Sequence, residues 1–201
     1  MKNLTACLSH LTLATLLLAF ITSCAVPPPV PEDNYYQLPK ATIKAQTKAL
    51  AQDIAIKRLV SDGLHGERAL LYSKADQALQ LKQYHYHHWS DAPPRMLQEY
   101  LISALRQANV ANTVTNYDPG QRTELTLSGK IRHFEQIGRG KKNEVLVEVE
   151  LQLHDKAYKI VHLKDYRVSQ IAQSAKPHDL VNAYGKALNT IVKNFINDWS
   201  K

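Results

Sequence analysis

Leu125-Thr126-Leu127-Ser128-Gly129-Lys130-Ile131-Arg132 and, after a break, Val145-Leu146-Val147-Glu148-Val149-Glu150-Leu151-Gln152-Leu153 are the stretches that set the fold. Each places an apolar residue, or a glycine, at every second position. Successive side chains of a strand point to opposite faces, so each stretch reads as a strand with one face in a core. The break, Gly138-Arg139-Gly140-Lys141-Lys142-Asn143, reads as a basic hairpin tip. Residues 158–168 supply a third strand, and the three form an antiparallel meander.

The strongest periodic signal follows that meander. Pro177 opens a run in which Leu180, Val181, Tyr184, Leu188, Ile191, Val192, Phe195, Ile196 and Trp199 fall on one face of a helix. A second such face, Met96, Leu97, Tyr100, Leu101, Ala104, Leu105 and Ala108, follows Pro93-Pro94, with Ser90 or Asp91 as its expected cap. Upstream, residues 34–38, 54–60, 68–72 and 80–89 read as strands, and 110–114 as a short one. Gly63 and Gly66 mark a turn, while 41–52 carry no decisive pattern. Strands, helix, strands, helix is the order of an α/β sandwich, with a mixed, largely antiparallel sheet and two main amphipathic helices packed on it.

The N-terminus is of a different kind. Lys2 is the one charge in the first ten residues, and the run from 11 to 21 is apolar apart from Thr12 and Thr15. It ends in Ile21-Thr22-Ser23-Cys24. A positive start, a short apolar stretch and a small-residue exit make a secretory signal. Spanning a bilayer takes roughly 20 apolar residues, and this run is shorter. Its end resembles the lipobox of bacterial lipoproteins, which implies cleavage before Cys24 and acylation of that residue. Several acyl chains on one residue anchor a protein stably where a single chain does so only marginally. Ala25 at the next position, where Asp would favour retention in the inner membrane, points to the periplasmic face of the outer membrane. Residues 1–23 are therefore expected to be the signal peptide, 24–33 a proline-rich tether (Pro27, Pro28, Pro29, Pro31), and 34–201 a single domain.

Composition bounds the chemistry. The chain has 201 residues, 44% hydrophobic and 21% charged, which suits a globular domain with a sound core and excludes a disordered one. The net charge of +7 suits an anionic surface or an acidic partner, but no nucleic-acid motif accompanies it. Two cysteines are present, Cys7 in the signal and Cys24 at the lipobox, so the domain offers no disulfide, no thiol nucleophile and no thiolate metal site.

Candidate sites are few. His85 and His87 would share a strand face and resemble a metal pair, but only Asp91 lies near enough in sequence to complete a ligand set, so the stretch to His88 reads as the lining of a half-exposed strand. Arg139, Lys141 and Lys142 form a candidate contact for a partner or a lipid headgroup; the glycine-lysine spacing is not that of a phosphate loop. No serine sits in a nucleophile elbow. Glu148 and Glu150 read as solvated charge on a strand's polar face, and Tyr100 and Tyr184 as core. No catalytic residue, metal or cofactor is assigned, and the expectation is a protein that is not an enzyme.

Tyr35-Tyr36-Gln37-Leu38, Arg68-Ala69-Leu70-Leu71-Tyr72, the strand ending in Trp89 ahead of Met96-Leu97, the strand reaching Phe134, and the closing helix with Trp199 together resemble the ABC-type transport auxiliary lipoprotein component family. These lipoproteins accompany paraquat-inducible, MCE-domain lipid transport systems. The resemblance implies a three-layer α/β fold similar to the N-terminal domain of TolB. It implies a non-enzymatic role in intermembrane phospholipid transport. The implied partners are an MCE-domain protein and an inner-membrane permease, with self-association into a homo-oligomer. A structural lipoprotein of a secretion or lipopolysaccharide-export assembly is the alternative, and a periplasmic hydrolase the third.

Overall fold

In the computed structural model, which describes residues 29–74, 76–139 and 142–200, the elements are β1 (Asn34–Tyr36), β2 (Ala51–Ile56), β3 (Val60–Ser61), β4 (Ala69–Lys74), β5 (Gln77–Trp89), α1 (Pro93–Gln107), β6 (Ala111–Asn116), β7 (Leu125–Arg139), β8 (Lys142–Asp155), β9 (Ile160–Ile171) and α2 (Pro177–Trp199). One turn of 3₁₀ helix, Gly63–Gly66, lies between β3 and β4. The chain divides into two units, Met1–Glu32 and Asp33–Lys201. Of the first, only residues 29–32 are described, and they are exposed. Cys7 and Cys24 lie outside the described residues. All of the elements belong to the second unit.

The expected α/β class holds, with a mixed, curled sheet and two amphipathic helices. The sheet has nine strands built around β7. Along one edge β7 pairs with β8 in an antiparallel ladder from Leu125↔Asp155 to Arg139↔Lys142, and β9 extends β8 on its far side. The other edge of β7 is shared in turn by β2 at Leu125–Leu127, β3 at Lys130 and Ile131, and β4 at Gln136–Gly138, all parallel. The meander is thus as expected. The upstream strand differs: β2 starts at Ala51 and stops at Ile56, and Val60 belongs to a separate two-residue strand, because β7 offers the two segments different stretches of its edge.

One face of the sheet and both helices share one core. Ile56, Leu127, Leu151, Leu105, Ile191 and Phe195 are fully buried in it. At its centre Trp89, Phe134 and Tyr184 meet with ring centroids 4.5–5.2 Å apart, geometry that adds to the burial each ring contributes. The helices touch: the Tyr100 hydroxyl lies within hydrogen-bond reach of two acceptors, Asn189 Oδ1 (3.0 Å) and the Gly185 carbonyl (3.3 Å). Burial pushes the Tyr100 and Tyr184 hydroxyl pKa values up, as core tyrosines require. Neither helix has a side-chain cap. Ala92, not Ser90 or Asp91, is the α1 N-cap residue; Asp91 accepts the Ala92 N–H (2.8 Å) and pairs with Arg95 (3.2 Å). Pro93 and Pro94 remove two of the N–H groups that a cap would serve.

The undecided stretch 41–52 is irregular up to Leu50 and enters β2 at Ala51, while the expected first strand stops at Tyr36; residues 37–50 form neither helix nor strand. They run as a strap over the helices, with Ala41 and Ile43 buried. The Thr42 amide donates to Asn189 Oδ1 (2.9 Å) and the Gln46 amide to the Ala108 carbonyl (2.7 Å). Pro39 rests on α2 where Gly185 leaves room; a Cβ there would stand 2.2 Å from Pro39 Cγ. Gly185→Ala should therefore lift the strap. We expect faster tryptic cleavage after Lys40, Lys44 and Lys48 than in wild type, and an unfolding free energy lower by about 1–3 kcal/mol in denaturant titration.

Candidate functional site

The face of the sheet turned away from the helices is polar and laced with ion pairs. Arg132 bridges Glu150 and Asp165, Arg167 pairs with Glu148, and Lys130 Nζ reaches Asp62 at 2.7 Å. Glu148 and Glu150 are thus paired surface charges. Within this face Glu135 is a buried carboxylate: its side chain is 7% exposed, and it stands across the ladder from the buried Leu146.

A register shift in β7 brings the group together. Ile131 faces Val149, but the next rung is His133 opposite Glu148, so Arg132 is the extra residue of a β-bulge. Ile131 and Phe134 both enter the core, while Arg132 and His133 both turn to the polar face. Glu135, one residue past Phe134, joins His133 there, and its Oε1 lies 2.7 Å from His133 Nδ1.

The third member comes from the 3₁₀ turn. Gly63 supplies the positive φ (+52°) that starts it, and Gly66 lets it close on Ser61, whose Oγ would lie 2.6 Å from a Cβ. The turn buries none of its own residues, and polar contacts place it: Asp62 pairs with Lys130, and His65 Nε2 lies 3.0 Å from Glu135 Oε2. His65 Nδ1 faces the Asp62 carbonyl at 3.3 Å. One ligating atom from each of His65, His133 and Glu135 lies within 4.8 Å of the others, the single such group of three among the described residues. Burial works against the charged form of His65, but the hydrogen bond and charge of Glu135 outweigh it and its pKa is raised. Burial opposes the Glu135 carboxylate too, and hydrogen bonds with His65 and His133 outweigh that, so its pKa is lowered.

The histidine-rich stretch of β5 is placed otherwise. His87 Nδ1 bonds the Tyr36 hydroxyl (3.0 Å), and His88 Nε2 meets Asp33 (3.2 Å) and lies against the Tyr35 ring. The stretch thus lines the β1–β5 edge, and Asp91 turns to Arg95. At the hairpin tip, Arg139 and Lys142 are opposite each other in backbone register, and Lys141 lies outside the described residues. Two open grooves, each of about 370 Å³, flank the strap along α2, one beside Pro39, Asn182 and Lys186, the other beside Ile43, Gln46 and Lys193. Neither includes the His65 cluster. No described helix is long and apolar enough to cross a membrane.

A curled mixed sheet closed on one face by two helices, with an ion-paired opposite face, places this protein in an α/β class already seen in solved structures. The chain is similar to protein XCC0632 of Xanthomonas campestris, with TM-score 0.70 and 14% identity over 81% of this chain and 92% of that one. An uncharacterized protein gives TM-score 0.67 and 15% identity over 83% and 98% of the two chains. CT253 of Chlamydia trachomatis gives 0.50 and 8% over 73% and 96%. At these identities the likeness is one of fold. No curated protein matches the chain. The model of the ABC-type transport auxiliary lipoprotein component family matches residues 36–194, and the chain belongs to that family. It is by family an auxiliary lipoprotein of ABC-type transport, and the family is not a known enzyme family.

His65→Ala would leave the buried Glu135 carboxylate with one partner in place of two. In chelator-treated protein the unfolding free energy should fall by about 1–3 kcal/mol, read as a lower denaturation midpoint at neutral pH.

Proposed function

We propose that this protein is an outer-membrane-anchored periplasmic lipoprotein, acting without catalysis as the auxiliary component of an ABC/MCE-type intermembrane phospholipid transport system. The observation that carries the reading is the family match across residues 36–194, nearly the whole folded unit. The sequence adds Ile21-Thr22-Ser23-Cys24, followed by Ala25 and the proline tether. In this reading residues 1–23 are removed, Cys24 is acylated, and residues 24–33 hold the domain off the membrane. An MCE-domain protein and an inner-membrane permease are the partners, energy comes from another subunit, and copies of the chain associate. Arg139, Lys141 and Lys142 at the β7–β8 tip are the proposed contact with a partner or with lipid headgroups.

Two measurements test it. Cys24→Ser should move the protein from the outer-membrane fraction to the soluble periplasm. In vivo crosslinking of the acylated wild type should recover an MCE-domain protein, and recovery should drop when Arg139, Lys141 and Lys142 are all changed to Glu. Recovery of secretion or lipopolysaccharide-export proteins in its place would refute the assignment.

A further inference from the structure

We propose that His65, His133 and Glu135 form a binding site for one divalent transition-metal ion of the zinc class, which staples the 3₁₀ turn to the β7 bulge. The role assigned above makes no use of this cluster.

The donor set is the first argument. Two imidazole nitrogens and a carboxylate are a common zinc combination, with a fourth position left for water. His133 is 38% exposed and opens that position to solvent, while His65 and Glu135 are 13% and 7% exposed. Zinc takes such ligands at about 2.0–2.2 Å, so neighbouring ligand atoms stand about 3.3 Å apart. The histidine–carboxylate separations, 3.0 and 2.7 Å, are already of that order, and the widest separation in the group does not exceed 4.8 Å. Closing it takes small rotations of side chains, with no change of fold.

Orientation is the second. His65 Nδ1 faces the Asp62 carbonyl at 3.3 Å, an acceptor that favours the tautomer with the proton on Nδ1. A metal-bound histidine characteristically donates its other N–H to a carbonyl in this way. With Nδ1 protonated, Nε2 of the neutral ring is a lone pair facing the lone pairs of Glu135 Oε2. A proton on Nε2 or a metal ion between the two atoms satisfies this 3.0 Å contact. A metal ion bound by both atoms satisfies the pair and recruits His133; a second proton on His65 satisfies only the pair.

Construction is the third. The bulge turns His133 onto the face that Glu135 already occupies, and two glycines shape the turn that delivers His65. The turn has no buried residue to hold it, so a metal bond across the gap supplies cohesion that packing does not.

The probe is Zn²⁺, titrated by calorimetry into the purified, chelator-treated full chain, with thermal unfolding followed in parallel. We expect one ion per chain with a dissociation constant in about the micromolar range or tighter, and a rise in Tm of about 5 °C or more at a hundredfold excess over that constant. Glu135→Gln keeps the shape of the side chain, and His133→Ala removes a half-exposed ring; each should weaken binding more than about tenfold and abolish the Tm rise. His85→Ala combined with His87→Ala should change neither. Absence of saturable binding below about 100 µM would overturn the site and leave a protonated His65 in its place. Binding untouched by both cluster variants, or lost with the His85 and His87 pair, would overturn it equally. These results are independent of whether the chain is recovered with an MCE-domain protein.

Discussion

Between Ile131 and His133 the β7–β8 ladder gains one residue on the β7 side, and both faces of the sheet are arranged around that step. Before it, odd positions of β7 (Leu125, Leu127, Ile131) enter the core; after it, an even position, Phe134, does. Without the step Phe134 would face the ion pairs and His133 would face Trp89 and Tyr184. Burying an imidazole without a partner among those rings would cost free energy, as would exposing a phenyl ring. The bulge therefore serves the core and the polar face together. It keeps the aromatic centre intact and sends His133 to the side where Arg132 already lies and where Glu135 awaits it.

The two faces are held by different physics. On the helix side, large apolar surfaces are removed from water, and the Trp89–Phe134–Tyr184 contact ties β5, β7 and α2 into one body. The strap of residues 37–50 adds a few backbone hydrogen bonds and one close approach at Gly185, so its placement depends on a glycine that α2 could otherwise replace with a better helix former. On the opposite side, the surface ion pairs contribute little individually, because water competes for both partners. Glu135 is the exception, since its burial makes each contact it keeps matter more.

What could be read in the sequence follows from how local the causes are. The alternation at 125–132 and 145–153 and the helical face from Leu180 to Trp199 are each contained within one element, and each appears where expected. The two-residue β3 is different, because it exists only where β7 offers a free edge to Val60 and Ser61. The strap was unreadable for a similar reason: its partners are Asn189, Gln107 and Ala108, far along the chain. His65, His133 and Glu135 left one faint trace, the glycines at 63 and 66, which marked a turn without showing what it carried. A bulge shifts strand parity by one, and nothing in residues 125–139 announces the shift except the change from Ile131 to Phe134 as apolar positions. Of the more conspicuous histidines of β5, His87 and His88 find their partners in Tyr36 and Asp33 at the sheet edge, not in a ligand set.

The placement of the cluster bears on how the polar face is held. The two grooves described lie along α2, and the cluster lies on the ion-paired face of the sheet. What the cluster joins is a turn without a core of its own and the strand on which the sheet is built. A contact in that position fixes the shape of a surface that packing alone leaves loose. On the polar face the turn is thus held by directional contacts, His65 to Glu135 and Asp62 to Lys130, where the helix face is held by burial.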